Sequence, residues 1–253
     1  MATNGNALLR ISLIGTLLAA GGCGGGEAPD PTAWPSTAVP SPTPDQARED
    51  FLQALQRTHR AAYRYTVRGD LPEGADVQAT GAHDPAARLF EVKVTVNGTA
   101  SPSATHRIVT GEHNYLRDLD DKLWVHLDLS RMSQDSLVYF DMSDPAGLAR
   151  FSSSIGSVRR TGPNAYAGRF NPEKNHVKHF IPVGAPTIFT LGVLFADFTA
   201  TTDRGWITSI TVEVDPKGPP LHITTEFSGH GTKMQIKAPP KAQVREANIS
   251  YYE

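Results

Sequence analysis

The feature that most constrains this chain is an alternation of period two that recurs along much of its length. Tyr63, Tyr65 and Val67 alternate with Arg64, Thr66 and Arg68, and Phe90, Val92, Val94 and Val96 alternate with Glu91, Lys93 and Thr95. Successive side chains of a strand point to opposite faces, so each run predicts a half-buried strand with one apolar face. The pattern continues through Leu123, Val125, Leu127 and Leu129, then Leu194, Ala196, Phe198 and Ala200, and again in 206–214, 221–227 and 233–237. Asp120-Asp121-Lys122 and Asp203-Arg204-Gly205 stand where hairpin turns are needed, so consecutive strands are expected to pair antiparallel. Pro239 and Pro240 end the last run, because they have no amide donor for a ladder. The expectation is a mostly antiparallel sheet of roughly ten strands.

Helical signals are few by comparison. Asp45 can cap a helix in which Ala47, Phe51, Leu52, Leu55 and Thr58 share one face. A second helix is predicted from Pro145 to about Ser154, with Asp144 as cap and Gly156 at its end, and a third near Glu173 to Phe180. Two or three short helices cannot cover the apolar face of so many strands. The sheet must therefore curl on itself or enclose something, and a curled sheet either fills its interior with its own side chains or leaves a cavity for an apolar ligand.

The N-terminus has another character. Arg10 precedes an apolar run from Ile11 to Ala20, which has the length of a signal-peptide core and is too short for a standard spanning helix. Ala20-Gly21-Gly22-Cys23 follows, and it resembles the lipobox at which bacteria attach diacylglycerol to a cysteine and cleave just before it. Ala20 stands where leucine is usual. Residues 1–22 are thus expected to be a lipoprotein signal peptide, with Cys23 as the lipidation site. From Gly24 to Pro44 the chain is mostly Gly, Pro, Ser, Thr and Ala, a composition that cannot bury enough apolar surface to offset its ordering entropy. Residues 23–44 are expected to be a tether and 45–253 a single folded domain. An acylated Cys23 would hold the chain on the extracytoplasmic face of the cell membrane, since each buried methylene contributes about 0.8 kcal/mol.

Composition narrows the function classes. Charged residues make up 20% and the formal net charge is -2, which gives no basic footprint for nucleic acid. Cys23 is the single cysteine, so the folded part has no thiol for a disulfide, a thiolate metal site or a nucleophile. There is no G-x-S-x-G elbow, and Ser152, Ser153 and Ser154 cluster at a helix end with no base assigned to them. His176 and His179 are three apart but lack the further ligands a metal needs. The acidic pair Asp120 and Asp121 is ordinary turn chemistry, and Asn97-Gly98 begins a loop. No enzyme class is expected, and no cofactor.

The order of several segments resembles a known family. Asn114-Tyr115-Leu116-Arg117 is followed by Leu123-Trp124-Val125-His126-Leu127-Asp128-Leu129-Ser130 and by Asp144-Pro145-Ala146-Gly147-Leu148. Then come Ala165-Tyr166-Ala167-Gly168-Arg169-Phe170, Thr201-Thr202-Asp203-Arg204-Gly205-Trp206-Ile207-Thr208, and Thr225-Glu226-Phe227-Ser228-Gly229 leading to Ile236-Lys237-Ala238-Pro239-Pro240. Behind a lipobox, this order resembles the LppX, LprA, LprF and LprG lipoproteins of actinobacteria, which share a fold with the LolA and LolB carriers. The resemblance implies an α+β, mostly antiparallel half-barrel, with a few helices on its concave side and an apolar cavity for acyl chains. It implies a carrier or presenter of a lipid or glycolipid at the cell envelope, in contact with the membrane and with an envelope transport protein. The chain departs from the pattern at 180–195, where Pro182, Gly184, Pro186 and Gly192 interrupt apolar residues, so this stretch is either a mobile apolar lid or an irregular packed segment.

Strand alternation selects Phe90, Val92, Val94, Ile210, Val212, Ile223 and Phe227 as cavity walls. Trp124 and Trp206 are added for their size, with ordinary core packing as the competing role. The rival to a lipid carrier is an envelope lipoprotein with a self-filled barrel whose outer surface binds a protein partner.

Overall fold

The computed structural model describes residues 44–98, 102–118, 120–133, 139, 141–171, 195–215 and 220–252. The signal segment with Cys23, the tether up to residue 43, the helix expected at 173–180 with its two histidines, and the stretch 180–194 lie outside the described residues.

Helix α1 (Pro44–Arg60) buries Ala47, Phe51, Leu55 and Thr58 as its spacing predicts, and Ala54 as well, while Leu52 is only half-buried. It leads into β1 (Tyr63–Asp70), β2 (Asp76–Asp84), β3 (Leu89–Asn97), β4 (Ser103–Thr110), β5 (His113–Asp118) and β6 (Trp124–Asp128). Helix α2 (Leu148–Ser154) is shorter than expected, because Gly147 turns into the left-handed region at φ 73°. Asp144 still caps it: its carboxylate accepts the amides of Ala149 and Arg150 at 3.0 and 2.9 Å. Gly156 does not end this helix; it lies inside β7 (Ile155–Gly162), where the register shifts between Ile155 and Ser157. The chain continues through β8 (Ala165–Phe170), β9 (Ala196–Asp203), β10 (Trp206–Val214), β11 (Leu221–Ser228) and β12 (Val244–Glu246).

These strands form one open, curved sheet of twelve in the order β12-β6-β5-β4-β3-β2-β1-β11-β10-β9-β8-β7. Every pairing is antiparallel except that of β12 with β6, which is parallel. The fold is thus α+β and mostly antiparallel, as expected, with more strands than the alternation revealed. Residues 233–237 are not a strand; Met234 and Ile236 pack on the convex face with Ala62, Ala82, Ile108 and Trp124.

Both helices lie on the concave face, and each sets a phenylalanine against β8 and β9. Phe51 sits 5.2 Å from the Tyr166 ring and 5.3 Å from that of Phe198, and Phe151 sits 5.1 Å from Phe170 and 5.2 Å from Phe198. Gly168 makes this possible, since a Cβ there would strike the Ser157 carbonyl and the Phe198 ring. The Thr58 hydroxyl accepts the Ile207 amide at 3.1 Å, which fixes the end of α1 to the start of β10.

Phe51→Ala is expected to lower the unfolding free energy by about 3 to 5 kcal/mol, since it empties a fully buried aromatic site. The exposed control Gln53→Ala is expected to stay within about 0.5 kcal/mol, both measured by urea denaturation.

Candidate functional site

Residues paired across neighbouring strands share a face, so the register sorts the concave surface into rows. The first row runs Tyr63, His83, Phe90, Val109, Asn114, Leu127 from β1 to β6. All six are buried. The second runs Tyr65, Gly81, Val92, Arg107, Leu116, Val125, and the third Val67, Ala79, Val94, Thr105, Asp118. Their ends on β1 are buried, but Val92, Val94, Thr105, Arg107 and Leu116 are only half-buried, as is Val96 beyond them. The concave face therefore has a closed half under the helices and a half-open apolar stretch over β3 to β5.

The residues chosen from alternation divide accordingly. Phe90, Ile210, Val212, Ile223 and Phe227 are buried in the main core together with the two helices. Val92 and Val94 edge that core and line the half-open stretch. Trp124 faces the other way: it packs on the convex side, with the His106 ring at 4.7 Å and the Arg117 guanidinium 4.4 Å from its ring centre. Trp206 stands at the rim by the end of α1, with the Arg57 guanidinium at 4.0 Å and the His230 ring stacked at 5.1 Å. Among the described residues, neither tryptophan joins Val92 and Val94.

Sequence reasoning does not single out Arg107, Asn114 and Leu116 as site residues. Arg107 sits in register between Val92 and Leu116, and burial among them lowers its pKa to about 10, which leaves it cationic at neutral pH. Tyr65 reaches toward the same stretch, because its ring lies directly on Gly81, where a Cβ would leave it no room.

The buried first row carries polar atoms that are left unsatisfied among the described residues. Tyr63 Oη, both ring nitrogens of His83 and both amide atoms of Asn114 have no hydrogen-bond partner among the described residues. Burial, followed by the nearby charge of His59, lowers the His83 pKa to about 4, so this ring is neutral at physiological pH. His59 Nδ1 in turn lies 3.6 Å from Asp144 Oδ1. A separate open depression of about 510 Å³ lies on the convex face and is lined by Ser157, Arg159, Arg169, Asp197, Thr211 and Glu213, among others, with Arg169 paired to Asp197 at 3.1 Å.

The His83 shift fixes the sign of a pH effect. Its folded pKa lies below the unfolded value of about 6.5, so its contribution is complete above that pH and is lost as pH falls toward about 4. Stability is expected to fall across this window by on the order of 3 kcal/mol from His83. Denaturation at pH 7 and pH 4.5 checks it: His83→Gln should flatten the slope, and an unchanged slope would contradict the assignment.

No family model matches the chain, and no curated protein matches it. Among solved structures it is similar to an uncharacterized conserved protein from Thermus thermophilus, at 13% identity and a TM-score of 0.44, over 79% of this chain and 99% of that one. It is also similar to a LolA superfamily protein from Nitrosomonas europaea, at 8% identity and a TM-score of 0.27, over 78% of this chain and 96% of that one.

Proposed function

We propose that this chain is an envelope lipoprotein, tethered to the membrane through acylated Cys23, whose concave sheet face holds the apolar part of an amphiphilic lipid or glycolipid and carries or presents it. Its place is beside the LppX, LprA, LprF and LprG lipoproteins that its sequence resembles. The observation that supports this most is the half-open stretch over β3 to β5: Val92 and Val94 are half-buried at the edge of the main core, Val94 and Val96 pack against Leu71, Ala75 and Val77, and Leu116 is half-buried on the same face. Apolar area removed from water contributes about 25 cal/mol per Å², so roughly 300 Å² of acyl chain gives about 7 kcal/mol before association costs. The role is passive and needs no cofactor or covalent step. An envelope transport protein would load or unload the cargo.

The convex depression favours a second reading, an interaction lipoprotein that docks a polar partner there. The two readings predict different contacts. A photoreactive acyl chain is expected to label peptides containing Val92, Val94, Val96 and Leu116, and Val94→Asp is expected to cut labelling at least tenfold. Labelling confined to the convex face, at Met234 or Ile236, would contradict the carrier reading. The anchor has its own test. Cys23→Ala is expected to abolish palmitate labelling and release the protein from the membrane, whereas full acylation of the variant would refute it.

A further inference from the structure

On the convex side, β5 and β6 carry a pair of histidines whose ring nitrogens face each other. His113 Nδ1 lies 3.0 Å from His126 Nε2, and His126 Nδ1 lies 2.9 and 2.8 Å from the two carboxylate oxygens of Glu246 on β12. The register explains the meeting: His113 stands opposite Asp128 and Tyr115 opposite His126, so the two histidines are diagonal neighbours on one face. The Tyr115 ring packs against both, 6.4 Å from His113 and 5.1 Å from His126, and limits how either can turn. A carboxylate only accepts, so Glu246 fixes the proton of a neutral His126 ring on Nδ1 and leaves a lone pair on Nε2. Metal-bound histidines are held in the same way, with a carboxylate on the far nitrogen that orients the ring.

We propose that His113 Nδ1 and His126 Nε2 form a two-imidazole site for a divalent transition metal, with Cu(II) held more tightly than Zn(II). Binding needs the proton of His113 to sit on Nε2, and this ring is exposed, so water can carry the exchange. Two nitrogens at about 2.0 to 2.1 Å from a tetrahedral ion stand about 3.3 Å apart, so the pair has to open by only a few tenths of an ångström. Asp128, which accepts both Ser130 bonds through Oδ1, adds negative charge beside His113. Arg131, whose charge reaches the same carboxylate, is turned over the Tyr252 ring at 4.4 Å. Among the described residues no set of three His, Asp or Glu side chains forms a metal cage, so water fills the remaining positions. An open site of this kind ranks ions by their intrinsic order, in which copper exceeds zinc. The ion would link β5 to β6 and, through Glu246, to the short edge strand β12.

The test is calorimetric titration of the untagged full chain carrying Cys23→Ala, which removes the competing thiol, with glycine-buffered Cu(II) and with Zn(II). The expected result is one Cu(II) per chain, bound at least tenfold more tightly than Zn(II). His113→Gln and His126→Gln are each expected to weaken Cu(II) at least tenfold. Glu246→Gln, at a side chain 77% exposed, is expected to weaken it at least threefold by releasing the His126 ring. Two controls, His222→Gln and the double variant His176→Gln/His179→Gln, are expected to stay within twofold. Absence of Cu(II) binding would overturn the proposal, as would Zn(II) bound as tightly as Cu(II). So would Cu(II) binding that survives His113→Gln within twofold or that disappears in a control. A His113→Gln variant whose metal-free urea midpoint collapses would also overturn it, because the pair would then be a structural hydrogen bond.

Discussion

Everything in this domain follows from one sheet that has to hide one apolar face. Twelve strands place Tyr65, Val67, Val92, Val94, Ile210, Val212, Ile223 and Phe198 on the same side, and only two helices are available among the described residues to cover them. Curvature brings the face toward itself, and α1 and α2 close the part over β7 to β10 through Phe51 and Phe151. The cover is incomplete over β3 to β5. A protein that leaves aliphatic side chains half-exposed inside a curved sheet has a surface suited to something other than water.

How much of this is legible in the sequence depends on the contrast between the two faces of each strand. In β1, β3, β10 and β11 the apolar residues alternate with Thr, Arg, Lys or Glu, so both the strands and their inner faces can be assigned. In β2, which reads Asp-Val-Gln-Ala-Thr-Gly-Ala-His-Asp, the inner positions are small because Tyr65 lies across Gly81, and the alternation fades. In β4, Thr105 and Arg107 share the inner face with Val109, so polarity does not mark the sides and nothing in the sequence points to Arg107. Trp124 shows the opposite error. Its strand parity already sets it against Val125 and Leu127, but its size suggests a cavity wall, and burial against Met234 and Ile236 serves it as well.

The polar groups on the concave face are what no period could reveal. Tyr63, His83 and Asn114 fall in one row only because successive strand registers align them across loops of different length. Their burial without partners is a property of packing. That row places polar atoms along the buried margin of an otherwise apolar surface. Under the proposed reading, an acylated Cys23 and the Pro-rich stretch that follows it would let the domain reach cargo from a membrane.

The central claim is that the concave face carries a lipid, and native mass spectrometry of the protein purified from an actinobacterial host addresses it most directly. The expected result is a stoichiometric mass adduct that lipid extraction removes and identifies as an amphiphile with at least one acyl chain. A protein that emerges ligand-free, and that stays so when incubated with diacyl lipids, would contradict the claim and make the self-filled interaction domain the better description.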